Sequence, residues 1–241
     1  MMNRRSGAWA LAVTLLALSA GRAHAVTMHT ANLVDLLRNS TSIVVGDVTS
    51  VTDGIDERGL PYTEVTVNVT EKLRGIDTGT YSFRQFGLLT PRLTEDGTKK
   101  IAAAPEFMTK YAVGEHVLLF LGEEASITGL RTTVGLGQGK FQLGATRAEN
   151  SYGNNGTFSN VSLEPGLATA NDHRILDTET GAVNDTDFLS LVRRAVADQW
   201  VETCQMWETD LGKTCKNSPK PPARPKTPST TTHTAPKLSF N

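Results

Sequence analysis

The chain has 241 residues, 39% hydrophobic and 20% charged, enough for a domain with a real core and without the composition of a fibrous or disordered protein. Its charge is unevenly placed: residues 26–215 hold 16 basic against 25 acidic side chains, close to −9, while residues 216–241 hold five basic side chains and no acid. An acidic body argues against a nucleic-acid partner, whose affinity depends on basic side chains neutralising phosphates.

Residues 1–25 show the three parts of a cleavable signal peptide in order: Arg4 and Arg5, an apolar stretch from Ala8 to Ala20, and the small residues of Ala23-His24-Ala25. The apolar run is shorter than the roughly 20 residues a membrane-crossing helix needs, so cleavage before Val26 is expected rather than anchoring. Val26 rather than a cysteine stands directly after that point, so there is no acceptor for a lipid, and no later stretch is apolar and long enough to stop translocation. The expected product is therefore secreted or periplasmic, with no stable membrane insertion.

Residues 26–215 read as a single β-rich domain. Thr30 is placed to cap a short helix whose apolar face is Leu33, Val34, Leu36 and Leu37, ended by Asn39-Ser40. Ile43 to Val51 is rich in β-branched residues and predicts the first strand. Glu64 to Thr70 alternates strictly, with Val65, Val67 and Val69 on the buried face of a second strand. Tyr81, Phe83 and Gln85 alternate with Ser82, Arg84 and Phe86 in a third, and residues 87–110 follow as a long irregular connection. Val117 to Leu121 is apolar on both faces, as a central strand covered above and below must be. Strands near 129–135 and 139–144 are expected across a glycine-rich turn, and Asn154-Asn155-Gly156 predicts a later hairpin. Phe188, Leu191, Val192, Ala195, Val196 and Trp200 recur at helical spacing behind Asp185, Thr186 and Asp187, predicting an amphipathic C-terminal helix. Strands clustered between two terminal helices predict a mainly β fold, a small OB-like barrel, with a two-sheet sandwich as second choice.

Residues 216–241 hold six of the ten prolines among Thr, Ser, Lys and Arg, which predicts a disordered tail with too little apolar surface to order itself. Its basic charge suits contact with an anionic envelope polymer. Cys204 and Cys215 are the only cysteines, and in an oxidising compartment a disulfide between them is expected.

Three stretches carry a resemblance: Ser42-Ile43-Val44-Val45-Gly46-Asp47-Val48; Val65-Thr66-Val67-Asn68-Val69 leading to Leu73-Arg74-Gly75; and Val113-Gly114-Glu115-His116 followed by Val117 to Leu121. Over roughly residues 30–143 the chain resembles a family of uncharacterised exported bacterial proteins. More distantly it is similar to netrin-type modules, the OB-fold domains that include tissue inhibitors of metalloproteinases. The resemblance implies an OB-like barrel and a binding or inhibitory role toward an exported protease. Those inhibitors begin at a cysteine whose amine and carbonyl bind the protease zinc, whereas the expected mature start here is Val26, so no functional residue carries over.

No catalytic, cofactor or metal constellation emerges. Gly135-Leu136-Gly137-Gln138-Gly139-Lys140-Phe141 departs from a phosphate loop, since Val134 stands at the first glycine and Phe141 at the Ser or Thr that holds magnesium. It reads as a turn between strands, with Gln138 and Lys140 as candidate partner contacts at its rim. His29, His116, His173 and His233 are not paired at metal-ligand spacing. His116 leads the central strand and is expected to pack, and Asn171-Asp172-His173 lacks a serine on a strained turn. Connections as long as 87–110 are uncommon in compact domains and often bind something, which makes Pro91, Arg92 and Phe107 the candidate partner contacts there. The function expected is an exported non-enzymatic binding module with an exported protein partner. The alternative is an exported hydrolase with a site assembled from dispersed residues.

Overall fold

The computed structural model of the chain describes residues 30–94, 97–98 and 100–209. The expected signal peptide, the tail at 216–241 and Cys215 lie outside the described residues. In chain order the elements are α1 (Leu33–Asn39), β1 (Ser42–Ile55), β2 (Pro61–Arg74), β3 (Gly79–Phe86), β4 (Arg92–Leu93), β5 (Lys100–Ile101), β6 (His116–Leu121), β7 (Lys140–Leu143), β8 (Ala148–Asn150), β9 (Val161–Leu163), α2 (Ala170–Leu176), α3 (Asp185–Ala197) and β10 (Met206–Glu208). The fold is mainly β. Six strands form one antiparallel sheet in the order β3-β2-β1-β6-β7-β8, and the pairs β4–β5 and β9–β10 stand apart from it.

Alternation along the central strands divides the interior into two cores. Ile43 and Val45 of β1, Leu118 and Phe120 of β6, and Phe141 and Leu143 of β7 face the helices. There Phe188 of α3 meets Phe141 at 4.8 Å and Phe158 at 5.7 Å between ring centroids. Val44 and Val48, Val65, Val67 and Val69, Phe83, and Val117, Leu119 and Leu121 form a second core on the other face. All five residues from Val117 to Leu121 are fully buried, because β6 is covered on both sides.

The second core has no helix over it, so the sheet must bend to enclose it. Three register shifts between β1 and β2 supply the bend. At one of them Gly46 is obligatory: a Cβ there would stand 2.5 Å from the Asn68 carbonyl oxygen. Across the open side runs the segment 130–134, where the sequence predicts a strand over 129–135. It makes isolated bridges instead, parallel to β3 at Arg84 and antiparallel to β6 at Leu121, and the strand ladder does not close into a barrel. Its Arg131 is the fastener. Nε donates to the Gly122 carbonyl (2.8 Å), Nη1 to the Tyr81 hydroxyl (2.8 Å), and Nη2 to the hydroxyls of Thr41 (2.7 Å) and Ser42 (2.8 Å).

Other expectations need correction. Asn32, not Thr30, caps α1, accepting from the Asp35 N–H at 3.1 Å. The turns at Asn154-Asn155-Gly156 do not make a hairpin: the buried Asn150 and Asn154 side chains hold that loop, and β9 leaves it to pair with β10. α3 is not the terminal element, since the chain turns back after it through the buried Trp200 into β10. α2 precedes it, closed by a capping box between Thr169 and Asp172, and Asp172 also pairs with Arg194 of α3 at 2.5 Å.

Candidate recognition surface

The connection at 87–110 is irregular but fastened. Leu88 is buried and bridges to Ala103, and the short strands β4 and β5 pair within it. Its far end is tied to β3 by the Gln85 amide, which donates to the Thr109 carbonyl at 2.7 Å. Its near end is tied to β1: Asp53 accepts from the Leu89 N–H at 2.7 Å and from the Arg92 guanidinium. Burial opposes ionisation of Asp53, but those N–H groups and the Arg92 charge outweigh it and hold the carboxyl below its usual range. The neighbouring β1–β2 turn is held in the same manner. Arg58 donates to Asp56, and also to the carbonyls of Ile127 (2.6 Å) and Thr128 (3.1 Å) on the loop after β6.

Three loops are thus cross-linked at one end of the β sheet, and they present apolar tips. Of the eight large hydrophobic side chains exposed among the described residues, four are on these loops, Leu89, Leu93, Phe107 and Ile127, and two end the adjoining strands, Ile55 of β1 and Phe86 of β3. Leu93 is 62% exposed and Ile127 85%, although apolar tips on rigid loops are costly to leave in water. Beside them the Arg84 guanidinium lies 4.2 Å above the Tyr62 ring and pairs with Glu64 at 2.6 Å.

Of the sequence-predicted contacts, Pro91, Arg92 and Phe107 are exposed on this surface. Arg92 is already engaged with Asp53, so it braces the loop. Gln138 and Lys140 are not rim residues. Gln138 is 3% exposed, and its side-chain Oε1 accepts the Ala31 N–H at 2.7 Å. Lys140 is buried beneath the turn that precedes β6, where Nζ donates to the Lys110 carbonyl (2.6 Å) and to Glu115 (2.5 Å) and lies 4.9 Å from the Tyr111 ring centre. Burial pushes the Tyr111 phenol well above its usual range, although the hydroxyls of Thr109 and Thr133 lie close by. A cleft of about 220 Å3 opens next to Lys140, with Glu115, Gln142, Glu149 and Ser151 among its walls.

Neither of the two described histidines joins these sites. His116 is exposed rather than packed, its Nδ1 2.7 Å from Asp47. His173 is exposed on α2, while its neighbour Asp172 is committed to Thr169 and Arg194. Among the described residues, no group of three or more His, Cys, Asp or Glu side chains is placed to hold a metal ion, and no helix is long and apolar enough to cross a membrane.

Sequence reasoning missed Asp53, Arg58, Leu93 and Ile127. A lone apolar residue in a loop carries no period that would mark it as a tip, and the partners of Asp53 and Arg58 are distant in sequence. Comparison of the chain with family models, with curated proteins and with solved structures finds no match.

Proposed function

We propose that this chain is an exported binding module without catalysis of its own, and that the cross-linked loop end recognises an exported protein partner, in its specific form a protease that it inhibits. The observation that carries the reading is the exposure of Leu89, Leu93 and Phe107 on the 87–110 connection and of Ile127 on the loop after β6, beside Phe86 at the end of β3, with the Asp53–Arg92, Gln85–Thr109 and Arg58–Ile127 contacts fastening these segments. Rigid apolar anchors lose little conformational freedom on docking, which is how binding surfaces concentrate affinity in a few side chains.

The same proposal includes the finer architecture. The sheet is read as an OB-like barrel in which 130–134 acts as the joining strand, a view supported by its parallel contact to β3 and antiparallel contact to β6. It also includes netrin-type kinship, a leader at 1–25, a secreted or periplasmic location, a Cys204–Cys215 bond, and a basic tail at 216–241 that touches anionic polymer.

Capture from an envelope extract by the full chain tests it. A stoichiometric partner retained by a Glu179→Gln control but lost with Leu93→Ser and with Phe107→Ser is the expected result. A partner that ignores both substitutions, or turnover of a substrate panel abolished by one polar substitution, would replace this reading with another.

A further inference from the structure

The cleft beside Lys140 is separate in composition from the apolar loop end, and every residue named in its walls is polar. Its floor is a finished piece of structure. Lys140, with 7% of its side chain exposed, pairs with Glu115, and the same Glu115 oxygen accepts the Ala112 N–H at 2.9 Å. One wall is equally fixed, because the buried Asn150 amide donates to the Gln138 carbonyl (3.2 Å) and the Thr157 hydroxyl (3.0 Å) and accepts from the N–H groups of Tyr152 and Asn154. Toward solvent Gln142, Ser151 and Lys110 are uncommitted, and Glu149 is held only by an exposed pair with Arg147 at 3.6 Å. Gln142 of β7 and Glu149 of β8 are cross-strand partners and stand side by side, Ser151 follows β8, and Lys110 faces them from the turn.

We propose that this cleft is a binding site for a small polyhydroxylated ligand, the size of one sugar unit. The volume lies below the roughly 300 Å3 at which sites for drug-sized ligands begin. The lining carries two ammonium groups, Lys110 and Lys140, and two carboxylates, Glu115 and Glu149, so a simple anion meets the carboxylates and a simple cation meets the ammonium groups. An apolar molecule would strip water from these groups without replacing its hydrogen bonds. A hydroxyl both donates and accepts, which lets one ligand satisfy the Lys110 ammonium, the Gln142 amide, the Ser151 hydroxyl and the Glu149 carboxylate together.

The test is amide NMR of the full chain titrated with glucose, N-acetylglucosamine and ribose, with glycine and inorganic phosphate as zwitterion and anion comparators. Expected are saturable shifts at Gln142, Glu149 and Ser151 with at least one sugar. Gln142→Ala and Ser151→Ala each weaken binding roughly three- to tenfold, as loss of one neutral hydrogen bond requires. Both side chains are exposed, so the rest of the amide spectrum reports that the variants keep their fold. No saturable shift with any sugar, saturation by glycine or phosphate alone, or sugar binding that survives both substitutions would overturn the assignment.

Discussion

Arg131 shows how one side chain completes what the strands leave open. Its four hydrogen bonds reach β1 and the residue before it, β3 and the start of the loop after β6, and each runs from a delocalised, half-buried charge. Hydrogen bonds to charged groups contribute about 1.5–3 kcal/mol. Arg131→Met should therefore destabilise the fold by about 2–3 kcal/mol, since the freed carbonyl and hydroxyls recover only part of that from water. The urea midpoint measures it, and an unchanged midpoint would show that the enclosure does not depend on this residue. Asp172 plays a similar part between α2 and α3. Burial opposes its ionisation, but Arg194 and the Thr169 cap prevail and hold its carboxyl below the ordinary range. A lowered folded-state value means the stabilisation is complete above the unfolded value, near pH 4 for an aspartate, and is lost as pH falls through the folded one. Asp172→Asn should be less stable at neutral pH and should show a flatter decline in acid. Parallel acid profiles for the two proteins would count against the assignment.

Among the elements, α3 was the most legible in the sequence because its period is clean. Phe188, Leu191, Val192 and Ala195 repeat on one face and all are buried. Phe188 sits between Phe141 and Phe158, so Phe188→Ala opens a cavity in the helix-covered core and should cost about 3–5 kcal/mol in denaturant titration. A loss below 1 kcal/mol would mean the core collapses around the gap. The valines of β2 and the two-sided run of β6 were legible for the same reason: burial imposes a period, and period survives in sequence. What was not legible lacks one. The segment 130–134 is held by single bridges and by Arg131, so a strand was expected where the chain only touches its neighbours. The short α2 and β9 are set by the Thr169–Asp172 cap and by pairing with a distant β10, neither of which leaves a local apolar pattern. The candidate surface was legible in its place, the long 87–110 connection, but not in its chemistry. Arg92 and Lys140 are committed to Asp53 and Glu115, and only coordinates reveal such long-range partners.

For the whole molecule, two cores share one sheet, and the loops at one end carry the exposed apolar side chains. If the chain is exported as proposed, mass spectrometry of the protein from periplasm or medium should give a start at Val26 and no free thiol, with Cys204 bound to Cys215. An intact Met1 terminus, or two free thiols, would contradict that part. A bond there would close a ring of about a dozen residues and add roughly 3 kcal/mol at most, mainly by restricting the unfolded chain. Site-directed photo-cross-linking on the full chain tests recognition through the loop end. A cross-linker at Leu93 or Phe107, activated in cells that export the protein, should give one adduct with a single partner protein, while one at Glu179, exposed between α2 and α3, gives none. Adducts of equal yield from all three positions, or from none, would contradict recognition at this surface.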